Sequence, residues 1–133
     1  MRLRARLDPR TRRQGRAIVE VRTVTLPSIL DDLERVDLVD LDVQGVEAEV
    51  LESAENQLAQ KVKRVHIGTH SAENERRLRE LFARLGWDRL NDYGCGSRVD
   101  TAWGTIDFQD GVQTWVNPQL ATGETTDILP RER

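Results

Sequence analysis

The sequence predicts an α/β domain: a mostly parallel sheet with flanking helices, closed by a C-terminal antiparallel hairpin. Three observations predict it. Strand-length apolar segments alternate with segments of helical period between residues 18 and 93. The helical segments carry cap residues at their ends. Asp110-Gly111 sits between two alternating arms late in the chain.

The first strand is expected over 18 to 26, "IVEVRTVTL", where β-branched residues alternate with polar ones. Pro27 stops it, and Ser28 caps a short helical turn, "SILDDLER". A second strand, "VDLVDLDV" at 36 to 43, is apolar without clean alternation, which suits a strand covered on both faces. Gln44-Gly45 turns the chain into a helix over 46 to 60, with Val46, Val50, Ala54 and Leu58 in one stripe. "VKRVHIGTH" is the third strand. Ser71 caps a helix over 72 to 85 whose apolar face is Leu78, Leu81, Phe82 and Leu85, and Gly86 ends it. "WDRLNDY" is a strand, "GCGSRVDTAW" a loop, and "WGTIDFQDGVQTWVNP" the hairpin.

A chain of 133 residues is one domain by length. It can bury roughly two-thirds of its unfolded surface. The net charge of −3 is too small to point to a polyionic partner for the whole domain. Charge is uneven, however: Arg2, Arg4, Arg6, Arg10, Arg12, Arg13 and Arg16 crowd the start. Residues 1–16 therefore read as a basic, mobile tail, 17–120 as the folded domain and 121–133 as a loose tail. Cys95 is the only cysteine, which excludes an intrachain disulfide and a four-cysteine zinc site. No apolar run is long enough to cross a bilayer, so no membrane partner is expected and the chain reads as cytoplasmic.

The run "TLPSILDDLERVDLVDLDVQGVEAEVLESA" resembles the region around the fourth core strand of the FkbM family of S-adenosylmethionine-dependent methyltransferases. Thr25, Leu26 and Asp31-Asp32-Leu33 stand for that family's "TLDDL" stretch. Leu41, Asp42, Val43, Gly45, Glu47, Val50 and Leu51 fit its "LLKIDVEGAELEVLKGA" strand and helix. "VKRVHIGTH" is similar to its next strand, often "IEVH", and the late hairpin segment to that of some members. The likeness covers about residues 19 to 118. Asp40, Gln44 and Gly68 depart from it, standing where the family has Lys, Glu and Glu. The resemblance implies a partial Rossmann-like class I methyltransferase sheet. No glycine-rich strand–turn–helix is present, so the chain is expected to correspond to the second half of such a domain, from a truncated gene product or one with a misplaced start.

Ligands of open α/β sheets sit beyond the carboxyl ends of the strands. Asp42 ends one strand and His70 the next, and adjacent strands lie about 5 Å apart, so both side chains are expected to face one cleft. Glu47, opening the following helix, could join them. His70 would act as base on a substrate hydroxyl with Asp42 fixing its tautomer. Alternatively, Asp42, Glu47 and His70 could hold one divalent metal ion. Gln44, Gly45 and Glu47 are the candidate cofactor- or substrate-binding residues. Plainer readings stand beside these: Asp42 as a helix cap, Glu47 as a partner of the helix dipole, and His70 as an exposed loop residue.

The resemblance implies S-adenosylmethionine as cofactor and O-methylation of a sugar or secondary-metabolite hydroxyl, with a small molecule or glycan as acceptor. A second reading is a non-catalytic remnant serving as an interaction module. Weak nucleic-acid binding through the arginine tail ranks last, since no aromatic residue interleaves the arginines. An unpaired edge of the strand at 36 to 42 predicts a homodimer, which light scattering over a concentration series would detect.

Overall fold

The computed structural model describes residues 21–122. The tails predicted at 1–16 and beyond 122, and residues 18–20 of the predicted first strand, lie outside them. The elements in order are α1 (Leu26–Asp31), β1 (Val39–Leu41), α2 (Glu47–Glu52), α3 (Glu55–Lys61), β2 (Arg64–Thr69), α4 (Ala72–Leu85), β3 (Asp88–Tyr93), β4 (Arg98–Thr101), β5 (Gly104–Asp107) and β6 (Gly111–Val116). Among the described residues no helix is long and apolar enough to cross a membrane.

A four-stranded sheet runs in the order β1-β2-β6-β3. β1 pairs with β2 in parallel, whereas β6 is antiparallel to both β2 and β3. The α/β class holds, but the mostly parallel sheet does not: the pairings are mainly antiparallel. The reason is topological. β1, β2 and β3 point the same way, as strand–helix alternation requires, and β6 inserts against them between β2 and β3. The antiparallel strand expected at one edge is therefore interior.

The predicted hairpin is also corrected. β5 pairs with β4, not with β6, and the two form a separate two-stranded sheet. The turn is at Ala102-Trp103, followed by Gly104 at φ +114°. Gly111 lacks the positive φ that a type I′ turn needs. What position 111 requires is the absence of a side chain. A Cβ there would overlap Thr69 Oγ1 and Glu75 Oε1 and lie 2.7 Å from the Tyr93 carbonyl oxygen. Gly111→Ala is expected to cost about 1–3 kcal/mol by overpacking, read as a shift in the urea midpoint at constant slope.

The first strand predicted at 18 to 26 does not form over its described residues: 21–25 are in no strand, and Leu26 opens α1. Thr25 is the N-cap, its side chain accepting from the Ser28 N–H, and Pro27 occupies the first turn, where a missing N–H costs nothing. The single helix expected over 46 to 60 is two. Ser53 turns its hydroxyl onto the Val50 carbonyl at 2.7 Å, and the chain breaks at Ala54 before α3 begins. α4 forms where its pattern placed it, with Ser71 as N-cap and Gly86 at φ 69° as C-cap.

All four helices share one core with one face of the sheet. Leu30, Leu51, Leu58, Leu78, Leu81 and Phe82 pack with Val65, Ile67 and Trp115. Phe82 lies between Trp87 and Trp115, at ring-centroid distances of 5.1 and 5.0 Å. The opposite face carries Asp40, His66 and Thr114 in one register row and is exposed or half-buried. The two-sided covering expected for the strand at 36 to 43 is thus absent among the described residues. This explains Asp40: its carboxylate stands in water at the sheet edge.

Candidate active site

β1 and β2 are parallel neighbours in register Leu41 with Ile67. Their carboxyl ends therefore share one rim, and Asp42 and His70 follow directly. Asp42 and Gly68 point to the same open face. With no side chain on Gly68, the Asp42 carboxyl rests against the strand, its Cγ 3.4 Å from where a Cβ would be. Beyond Asp42 the chain turns through Gln44 at φ 58° and Gly45 at φ 106°. The second angle suits only glycine.

The turn folds the backbone around Glu47. This side chain is fully buried. Its Oε1 accepts from the backbone amides of Val43 at 3.2 Å and Gly45 at 2.9 Å. The same oxygen lies 2.8 Å from His70 Nδ1, while Oε2 accepts from Asn74 Nδ2. Burial pushes the Glu47 carboxyl up. Hydrogen bonds from the amides of Gly45 and Glu47 itself, from His70 and from the Val43 amide outweigh it and hold the group below its ordinary value.

A depressed pKa has a definite sign for stability. Glu47 contributes stability above its unfolded pKa, and loses that contribution as pH falls through its lower folded value. The expected result is acid destabilisation that is shallower in Glu47→Gln than in the parent chain, measured by urea midpoints between neutral and acid pH.

The geometry also fixes the histidine tautomer. An ionised carboxylate only accepts, so His70 Nδ1–H donates to Glu47. The Gln44 side-chain nitrogen lies 3.1 Å from His70 Nε2 and 3.0 Å from Asp42 Oδ1. An amide nitrogen only donates, so Nε2 presents its lone pair. Asp42 Oδ1 is 3.3 Å from Nε2. The Asp42 side chain is 64% exposed and that of His70 15%. The expectation that Asp42 fixes the tautomer is corrected: Glu47 holds that ring nitrogen, and Asp42 flanks the other.

Asp42 caps no helix: α2 begins at Glu47, and its N-cap position is Val46, with no side-chain cap. Glu47 stands in the first turn of α2 but turns back onto the preceding loop and His70. His70 is largely buried. Gln44 and Gly45 shape the site, one through its amide and the other through its backbone.

One ligand atom each from Asp42, Glu47 and His70 fall within 4.8 Å of one another. Among the described residues the donor chemistry does not complete a metal site. Four hydrogen bonds already engage Glu47, so Asp42 and His70 Nε2 are the ligands left, short of the usual set.

Asn74 was not visible as a site residue in the sequence. The Ser71 cap predicts only that residue 74 lies in the first turn of α4. Nothing local shows its side chain crossing to α2. A second polar cluster lies at the same carboxyl end of β2, around Thr69 where the strand meets Gly111 of β6. The Cys95 amide donates to Glu75 Oε1 at 2.7 Å, and the thiol lies between the Gly111 amide and the Thr69 carbonyl, 3.2 Å from each. Burial, then Glu75, pushes that thiol up, which suits a structural cysteine.

The imidazole and carboxylates gathered at the strands' carboxyl rim stand where ligands of open α/β sheets sit. Residues 4–93 match the family model of the methyltransferase FkbM domain, and the chain belongs to that family. The matched stretch contains all the residues of this site and ends with β3, so β4 to β6 lie beyond it. No curated protein and no solved structure matches the chain.

Proposed function

We propose that this chain supplies the acceptor side of an O-methyltransferase site, acting on a hydroxyl of a sugar or other small metabolite. The observation that carries the reading is the 2.8 Å contact between His70 Nδ1 and the buried Glu47, which leaves Nε2 facing the rim as a base. The acceptor hydroxyl gives its proton to Nε2 as its oxygen becomes nucleophilic. The imidazolium so formed lies between Glu47 and Asp42. The Gln44 amide marks where hydrogen-bond donors of the acceptor would sit, bridging base and carboxylate, and it must swing away when an acceptor enters.

The family points to S-adenosylmethionine as methyl donor. The described residues do not fit a cradle for it. The amides of Val43 and Gly45, the turn groups nearest the rim, are directed inward at Glu47. Calorimetric titration of the full chain with S-adenosylmethionine tests the reading. Heat in the micromolar range supports the enzyme, and no heat at millimolar cofactor supports the remnant serving as an interaction module. Pairing of two copies through the edge of β1, which has no further strand beside it among the described residues, belongs to the same proposal.

A further inference from the structure

We propose that Asn74 is a positioning residue for His70, acting through Glu47. The inference rests on the reading of His70 as base, but its first readout does not depend on activity.

Asn74 is only 4% exposed, and both ends of its amide are engaged. Its Oδ1 accepts from the Ala48 backbone amide at 2.9 Å. That partner can only donate, so the orientation of the side-chain amide is determined, and Nδ2 faces Glu47 Oε2. The Asn74 backbone amide in turn donates to Ser71 Oγ at 3.2 Å, which ties the residue to the start of α4.

The donors on Glu47 are unequally divided. Three serve Oε1, and among the described residues Asn74 alone serves Oε2. Removing that donor would leave a buried anionic oxygen bare, which is costly. Glu47 would then rotate toward other donors or take up a proton. Either response weakens the acceptor that holds His70 Nδ1–H. The device closes on itself within a few residues: β2 delivers His70, Ser71 starts α4, and α4 returns Asn74 to the carboxylate that orients His70.

Asn74→Asp separates this role from simple packing. It keeps an oxygen for the Ala48 amide and nearly the same shape. It replaces the donor to Glu47 with a second carboxylate oxygen, and two such groups in contact share a proton. Two-bond 1H–15N NMR of the imidazole in the full chain reads the result. The expected outcome is a Nδ1–H tautomer in the parent and a mixture with Nε2–H in Asn74→Asp. Where methyl transfer is measurable, kcat falls on the order of a hundredfold with the acceptor KM little changed. Asn74→Ala is the second variant should Asn74→Asp not fold, and the same mixture is expected. The parent tautomer persisting in a folded variant overturns the proposal. A parent chain that binds no S-adenosylmethionine, yet shows the tautomer change, instead removes the methyltransferase reading and leaves the Asn74 coupling standing.

Discussion

His70→Gln is expected to lower kcat for methyl transfer by about 10²- to 10⁴-fold, the usual contribution of a positioned general base. The fold should survive. The replacement lies at the rim, and Glu47 keeps three other donors: the amides of Val43 and Gly45 and the Asn74 side chain. Binding of the acceptor should change little, because the proton transfer, not the contact, is lost. The decisive comparison is Asp42→Asn. Asp42 is 64% exposed and flanks Nε2 without fixing the ring. Its removal should cost less than loss of His70, and the base should keep its tautomer. Equal losses from both variants would return the orienting role to Asp42.

Phe82→Ala is expected to cost about 3–5 kcal/mol, the largest stability effect of any single truncation considered for this chain. Phe82 is fully buried and stacks at 17° on Trp115 while packing at 42° on Trp87. It joins α4 to β6, the strand that holds β2 and β3 together. Two indoles cannot collapse into the space without leaving their own contacts with α4, so a cavity should persist. Urea unfolding followed by tryptophan fluorescence measures the loss. A change below about 1 kcal/mol would mean that the core repacks freely and that this stack is not its centre.

The elements legible in the sequence are those decided by local chemistry. α4 has a serine cap, a clean apolar face and a terminal glycine, and all three act locally. β2 and β3 read correctly for the same reason. The hairpin failed because Asp110-Gly111 spells a turn whereas its glycine answers a tertiary demand, space beside Thr69, Glu75 and Tyr93. The strand before α1 failed over its described residues because Pro27 serves equally to end a strand or to begin a helix, and the short helix expected after Ser28 instead starts at Leu26 with Thr25 as its cap.

The site was legible in outline. Parallel neighbours bring consecutive strand ends to one rim, and that alone places Asp42 beside His70. The division of labour was not legible. Which carboxylate holds Nδ1 depends on a turn that folds Val43 and Gly45 around Glu47, and on Asn74 arriving from α4. The first is a local turn that aims its amides inward at Glu47, and the second is a long-range consequence of packing; no spacing rule records either.

Buried Glu47 holds His70 with its proton on Nδ1 and its lone pair on Nε2 at the rim. Two-bond 1H–15N NMR of His70 in the full chain, at a pH where the ring is neutral, tests it most directly. A protonated Nδ1 and a bare Nε2 are expected. A protonated Nε2, or the rapid tautomer mixture of a free surface histidine, would contradict it.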